Sequence, residues 1–206
     1  MILRNALKYA EWWTEFLKPH AETLIVAGSI RRERPVCNDI DIVCVPKTTV
    51  EQVSSGDLFN PVAQQRRNLC YEALMDLAVQ QGFKWKGRSA TTPPPQPGCM
   101  YMWVVTSKSE LDLWFADSAT LATRLICRTG SKEHNIWIAK RAERMGLKWK
   151  PYEGLFDTRA LVDASPPPGE LISTATEADF YRALGLDFIE PRNRELEWLI
   201  KHIGRE

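Results

Sequence analysis

Apolar positions recur at the spacing of an amphipathic helix in two long stretches of the chain. The first covers Ile2 to Leu17 and ends before Pro19, because proline cannot continue a helix. The second lies between Pro61 and Gly82, where the glycine supplies a stop signal. The pattern therefore predicts two long helices in this part of the chain.

Shorter runs rich in β-branched and aromatic residues predict strands between and after these helices. The predicted strands are TLIVAG at 23–28, 39–45, 83–87, 99–105 and 110–115. The proline-rich segment Thr91–Gly98 cannot donate ladder hydrogen bonds, so we expect a loop between two of these strands.

The pattern changes after Asp117. Helical spacing returns at Ser131–Met145 and at Thr176–Leu184, where Thr176 is placed to cap the helix. The order of elements predicts an α+β (mixed α/β) fold with two units. We expect the larger unit to span residues 1–120 and the smaller unit residues 121–206.

Composition narrows the class of protein. The 206 residues are 44% hydrophobic and 26% charged, and no apolar run approaches the roughly 20 residues that span a bilayer. The five cysteines are widely spread and form no paired motif, which predicts neither a disulfide framework nor a zinc site. We expect a cytoplasmic protein in a reducing compartment with no membrane partner.

Charge is unevenly distributed along the chain. The net charge is +1, but residues 121–150 carry eight basic and two acidic residues. Such a basic face is typical of contact with a phosphate backbone, although a solvated helix face gives the same pattern. The candidate DNA-contacting residues are Lys132, Lys140, Arg141 and Arg144 on the predicted helix, and Lys84, Lys86 and Arg88 on a predicted strand.

Two carboxylates on a strand suggest the chemistry of the larger unit. Asp39 and Asp41 are two residues apart, so they project from the same face of a strand. Like charges this close repel unless a cation lies between them, and magnesium prefers such hard oxygen ligands. The alternative is an exposed strand with two solvated acids. Asp112, on another apolar strand, would join them if the two strands are neighbours.

Anion-binding residues precede the two aspartates. Gly28 and Ser29 follow a strand and offer backbone N–H groups and a hydroxyl to a phosphate. Arg31, Arg32 and Arg34 follow, and their guanidinium groups match phosphate oxygens. Anion binders next to metal-binding acids indicate a site for a metal and a nucleotide.

This order of motifs resembles the family X DNA polymerases, within the nucleotidyltransferase superfamily. The motifs are GS-x-RR at 28–32, D-x-D at 39–41, L-D-L at 111–113, Thr129-Gly130-Ser131 with Asn135, Y-E-G-L-F at 152–156 and E-P-R-N-R-E at 190–195. A lone GS and D-x-D would identify only the superfamily. The later motifs, in the same order, favour the polymerase branch.

The resemblance implies a palm with a mixed sheet flanked by helices and a small α/β thumb. It implies that Asp39, Asp41 and Asp112 are catalytic and hold two Mg²⁺ ions, for which Mn²⁺ can substitute. The nucleotide-contacting residues that it implies are Gly28, Ser29, Arg32, Gly130, Ser131 and Asn135. The implied reaction is attack of a primer 3′-hydroxyl on a nucleoside triphosphate with release of pyrophosphate. The implied partner is gapped, nicked or primer-template DNA, in a repair role.

Four positions depart from the family pattern. Cys127-Arg128 stands where the family has an aromatic pair against the incoming sugar, so selection against ribonucleotides is open. Ala139 stands where an arginine monitors the template pair, and Glu110 where an arginine commonly precedes Asp112. The short segment before Gly28 leads us to expect a minimal monomer without lyase or helix-hairpin-helix domains.

Two other functions remain open at this stage. One is a template-independent or ribonucleotide-transferring nucleotidyltransferase. The other is a non-catalytic module that binds DNA ends, against which the three aspartates count, because clustered negative charge repels phosphates.

Overall fold

The computed structural model of the protein describes residues 1–54, 62–85, 95–159 and 169–203. The helices are α1 (Leu3–Leu17), α2 (Gly28–Arg31), α3 (Leu69–Gln81), α4 (Leu121–Thr129), α5 (Lys132–Arg144), α6 (Glu177–Ala183) and α7 (Leu196–Ile203). The strands are β1 (Ala21–Val26), β2 (Ile40–Pro46), β3 (Thr48–Ser54), β4 (Val62–Asn68), β5 (Lys84–Trp85), β6 (Tyr101–Val105), β7 (Glu110–Phe115), β8 (Leu147–Lys150), β9 (Gly154–Asp157) and β10 (Glu170–Ile172).

A mixed sheet forms the centre of the amino-terminal unit. Its described strands lie in the order β1-β2-β7-β6-β5, and β2 pairs with β7 in parallel while the other neighbours are antiparallel. Helices accompany this sheet, and a second sheet of β10, β9 and β8 lies in the carboxy-terminal unit. The α+β fold class predicted from the sequence is therefore confirmed.

Helix α1 covers one face of the mixed sheet. Ala6, Ala10, Trp13 and Leu17 are buried along one side of the helix, as the apolar spacing predicts. Their cluster includes the buried inward residues of β2, such as Ile40. With this face of β2 buried, the alternate residues of the strand project to the opposite face of the sheet.

A separate core lies in the carboxy-terminal unit. Its buried apolar residues come from α4, α5, α6 and the strands β8 and β9. A third cluster joins the two units, because Leu125 of α4 packs with Val43 and Trp114 on the mixed sheet. Helix α4 therefore holds the carboxy-terminal unit against the sheet face that carries the acidic residues. The domain boundary near residue 120 stays a prediction.

The structure corrects the prediction of a helix from Pro61 to Gly82. Residues 62–68 form β4, which pairs with β3 as a two-stranded ribbon, and α3 begins only at Leu69. The side chain of Asn68 caps this helix, and Gly82 ends it in the left-handed conformation with φ 64°. Helices α4 and α7 were not predicted from the sequence.

The other predicted helices and strands agree with the structure over the described residues, whereas β3, β8, β9 and β10 were not predicted from the sequence. Thr176 caps α6 in a reciprocal capping box with Asp179. Of the strand predicted at 83–87, Lys84 and Trp85 are in β5, and residues 86 and 87 lie outside the described residues. Of the proline-rich segment predicted as a loop at 91–98, residues 95–98 are described. The five cysteines are free thiols. None of the described helices has the length and apolar character needed to cross a membrane.

Candidate active site

The pairing of β2 with β7 places two of the predicted carboxylates next to each other. In the parallel register, Asp41 lies opposite Asp112, while the neighbouring pair of Ile40 and Leu111 is buried on the other face. Asp39 comes two residues before Asp41 and lines the same cleft as the other two aspartates. Asp41 and Asp112 therefore share one face of the sheet, and Asp39, just before β2, joins them in the cleft.

The electrostatics of the cluster show an excess of negative charge. Burial, together with the charges of Asp39 and Asp112, raises the pKa of Asp41 to about 7. The nearby Arg128 acts in the opposite direction but does not cancel the effect. Three hard carboxylate oxygen donors with unbalanced charge fit a divalent cation such as Mg²⁺. Over the described ranges, no three acidic, cysteine or histidine side chains are already arranged as ligands of one ion.

Gly28 fits tightly against the Asp41 carboxylate. Its φ is +60°, and a Cβ at this position would lie 2.0 Å from Asp41 Oδ2. A side chain at position 28 would therefore displace the carboxylate as well as strain the backbone. The need for glycine in the GS motif thus has a local physical cause.

For the nucleotide transfer that the sequence motifs imply, we expect Gly28→Ala to reduce the rate at least about a hundredfold, because a displacement of the reacting groups by about 1 Å has effects of this size. Gly82→Ala is the matched control. Gly82 has a similar φ of +64° but has nothing within 4 Å of an added Cβ. Thermal unfolding should show a backbone penalty in both variants, and primer extension should fail only in Gly28→Ala. Equal activity in the two variants would contradict the contact with Asp41.

A cleft of about 850 Å³ surrounds the aspartates. Gly28 and Ser29 line it from α2, and Thr129, Gly130 and Lys132 line it from the carboxy-terminal unit. The hydroxyl oxygen of Ser29 is buried and has no hydrogen-bond partner. An unsatisfied donor in a cleft next to acidic residues is suited to a phosphate oxygen.

The sequence of the second unit matches a known family. Residues 124–195 match the family model of the DNA polymerase beta thumb. The fold of the chain is similar to two crystal structures of Leishmania infantum polymerase beta, a ternary P/T complex and a ternary gap complex. Each comparison has a TM-score of 0.63 and 16% sequence identity and covers 95% of this chain. The covered share of the other chain is 76% in the first and 70% in the second. A search of curated proteins finds no match.

Residues 124–195 therefore form a polymerase beta thumb, and the chain as a whole has a fold similar to that of polymerase beta. The resemblance read from the ordered motifs is confirmed by the thumb match and by the fold. We accordingly use "palm" for the unit with the mixed sheet and "thumb" for the unit that begins near α4.

Several residues predicted to contact the nucleotide have structural partners at the start of the thumb. The Ser131 hydroxyl donates to the carbonyl of Arg194 at 2.6 Å and accepts from the backbone N–H of His134. The Asn135 amide Nδ2 donates to the carbonyl of Cys127 at 2.8 Å. Asn135 also lines the cleft, whereas Ser131 is buried. The structure thus places Asn135 on the cleft wall and Ser131 behind it.

Arg32 lines the cleft but is already engaged by the thumb. Its Nε donates to Glu195 Oε1 at 2.7 Å, and its Nη1 donates to the carbonyl of Thr129. A contact between Arg32 and a triphosphate, as the resemblance implies, would require exchange of the Glu195 carboxylate for phosphate. Glu195 is in the terminal motif, but sequence reasoning assigned it no role.

A buried ion-pair network also connects palm and thumb. Arg31 donates to both carboxylate oxygens of Glu177, at 3.0 and 2.6 Å. Arg194, which is fully buried, donates to Glu177 Oε1 at 3.0 Å. Sequence reasoning missed this network, because no sequence motif pairs Arg31 or Arg194 with Glu177.

The predicted DNA-contacting residues divide into three groups. Lys132, Lys140 and Arg144 are exposed on α5, and Lys84 is exposed on β5. Arg141 is half-buried, and its Nε donates to the carbonyl of Leu184 at 3.0 Å, which gives it a structural contact within the thumb. Lys86 and Arg88 lie outside the described residues.

Proposed function

We propose that this protein is a DNA polymerase that adds a nucleotide to a primer 3′-hydroxyl and fills gaps in duplex DNA during repair. The observation that carries the proposal is the juxtaposition of Asp41 and Asp112 across β2 and β7. The polymerase beta thumb supports a nucleic-acid substrate rather than a small-molecule acceptor. The matched Leishmania infantum structures include a gap complex, which motivates gapped DNA as the first substrate to test.

The proposed reaction assigns separate tasks to the residues of the cleft. Asp39, Asp41 and Asp112 would hold two magnesium ions, which stabilise the attacking and leaving oxygens when they are bound. Ser29 would donate its unpartnered hydroxyl to the triphosphate, and Gly28 allows close approach of the backbone. Asp112 would orient the primer hydroxyl for attack on the α-phosphorus. Positioning and electrostatic stabilisation therefore account for the catalysis.

The exposed basic residues would bind the DNA backbone. Lys132 and Lys140 lie two turns apart on the outward face of α5, with the exposed Ile136 between them. Contacts of this kind are weakened by salt, since DNA binding by lysine releases counterions. We therefore propose duplex binding through the thumb with strong dependence on ionic strength.

Primer extension tests the proposed function. A labelled primer is incubated with Mg²⁺ and each nucleotide type on gapped, recessed and single-stranded DNA, with Asp41→Ala and Asp112→Ala as controls. Template-ordered addition that is lost in both variants supports the proposal, and ribonucleotide use would show that Cys127-Arg128 admits the 2′-hydroxyl. Untemplated tailing, or DNA binding with no extension on any substrate, would contradict it.

A further inference from the structure

Arg128 lies next to the carboxylates although it is not part of the metal-binding set. It is the second residue of the Cys127-Arg128 pair that departs from the family pattern. Its guanidinium carbon is 3.3 Å from the centroid of the Trp114 ring and 5.2 Å from that of Tyr152. Arg128 and the three aspartates line the same cleft.

The strand geometry shows where this stacked guanidinium lies. Trp114 follows Asp112 by two residues on β7, so both side chains project from the same face of the sheet. Asp41 is opposite Asp112 on the neighbouring strand. A cation stacked on Trp114 therefore lies over the sheet face that carries the acids, and its charge acts on both Asp41 and Asp112.

Aromatic contacts hold Arg128 in this place. Its Nε is buried and has no hydrogen-bond partner, so stacking on Trp114 accounts for the position of the guanidinium. One helical turn earlier, Arg124 lies 5.0 Å from the Tyr152 ring and donates to the Tyr152 carbonyl at 3.2 Å. Arg124 also donates to the carbonyl of Phe115 in β7 of the palm, so the end of α4 is anchored to the palm and Arg128 is fixed beside the aspartates.

We propose that Arg128 is a resident cation of the carboxylate cluster that competes with the first divalent ion to bind there. This inference rests on the proposed ion-binding role of the three aspartates. The guanidinium balances part of their negative charge when no ion is bound, and it repels an entering ion. Divalent ions consequently bind weakly to the protein without DNA or nucleotide. The Arg128 guanidinium moves off the Trp114 ring when an ion enters the cluster.

Direct measurement of ion binding tests the proposal without any catalytic turnover. Free Mn²⁺ is followed by electron paramagnetic resonance in titrations of the whole protein without DNA or nucleotide. Arg128→Gln should bind Mn²⁺ about tenfold more tightly than the natural protein, the effect of a unit charge on a divalent ion at about 6 Å in a water-like dielectric. Arg128→Lys keeps the charge and should bind like the natural protein.

Lys132→Gln is the matched control, because it shows whether the loss of any positive charge in the cleft tightens Mn²⁺ binding. Lys132 lines the same cleft and is exposed, so removing its charge should change Mn²⁺ affinity less than about twofold. Equal tightening in Lys132→Gln and Arg128→Gln would overturn the proposal. So would unchanged Mn²⁺ affinity in Arg128→Gln, or tightening of the same size in Arg128→Lys.

Tryptophan fluorescence gives a second reading that does not depend on how well the Arg128 variants fold. Mg²⁺ should change the emission of the natural protein, because the guanidinium leaves the Trp114 ring, and Trp114→Phe should abolish this change. An Mg²⁺ response that persists in Trp114→Phe contradicts the displacement of Arg128 from the ring.

If Mn²⁺ binds neither the natural protein nor Arg128→Gln, the inference and the proposed metal site fail together. If it binds both equally and Asp41→Asn abolishes binding, only the inference fails.

Discussion

Asp41→Asn is expected to reduce nucleotide addition by more than about a thousandfold while duplex binding is retained. The substitution removes one proposed ion ligand at the centre of the cluster, and bound ions contribute several kcal/mol to such reactions. It removes a negative charge from the cleft, so the DNA phosphates lose no attractive partner. Single-turnover extension of a gapped duplex measures the first effect, and fluorescence anisotropy of the same duplex measures the second.

The same substitution should stabilise the metal-free fold at neutral and alkaline pH. The pKa of Asp41 is raised to about 7, so between pH 4 and 7 the folded protein keeps a proton that the unfolded chain releases. The contribution of Asp41 to the free energy of unfolding is fully present below pH 4 and is lost as the pH rises through about 7. Asp41→Asn lacks this loss, and at pH 8 its unfolding free energy should exceed that of the natural protein by about 4 kcal/mol.

Denaturant unfolding in EDTA between pH 5 and 8 measures the difference. The gap between Asp41→Asn and the natural protein should widen as the pH rises, and Mg²⁺ should narrow it by stabilising only the natural protein. Residual extension above about a tenth of the natural rate would contradict the role of Asp41 in the reaction. A variant that is less stable than the natural protein at pH 8 would contradict the electrostatic description of the cluster.

Glu177→Ala is expected to destabilise the protein by about 3 kcal/mol, because it leaves buried arginines without their carboxylate. Arg194 is fully buried, and Arg31 makes two hydrogen bonds to Glu177 from the palm side. Burial alone would raise the pKa of Glu177, but the hydrogen bond from Arg31 and the charge of Arg194 lower it, which favours the ionised carboxylate. Its loss should also weaken the attachment of thumb to palm.

Urea unfolding at pH 7 measures this effect, with Glu143→Ala as the control. Glu143 is exposed on α5, and surface substitutions of this kind change stability by less than about 0.5 kcal/mol. Limited proteolysis near residue 120 should proceed faster in Glu177→Ala than in the control. Equal stability of the two variants would show that the network does not hold the thumb in place.

Strand β2 and its two candidate metal ligands could be predicted from the sequence, because the pattern that marks them is local. Asp39 and Asp41 alternate with apolar residues, and that alternation survives in β2, where Ile40 and Ile42 are fully buried. The parallel pairing with β7 is different, since it joins segments far apart in the chain. Only the family resemblance suggested that Asp112 would lie opposite Asp41.

The ribbon of β3 and β4 and the helix α4 were missed because their sequences lack a regular pattern of apolar and polar residues. The ribbon of β3 and β4 carries exposed residues such as Val50, Gln64 and Gln65, so no alternation between buried and exposed faces marks its strands. Helix α4 buries Thr123 and Arg124, and these polar residues interrupt its apolar stripe. The stacking of Arg128 on Trp114 depends on the packing of α4 against the sheet, which no local pattern encodes.

Anomalous diffraction from Mn²⁺ is the most direct test of the central claim, that the three aspartates jointly hold the ions for nucleotide transfer. Crystals would contain the natural protein, a one-nucleotide gapped duplex and a non-hydrolysable nucleoside triphosphate. The account predicts two anomalous peaks among the carboxylates of Asp39, Asp41 and Asp112, next to the triphosphate, and no peaks there in Asp41→Asn. Ions bound elsewhere beside the triphosphate, with Asp112 turned away from them, would contradict it.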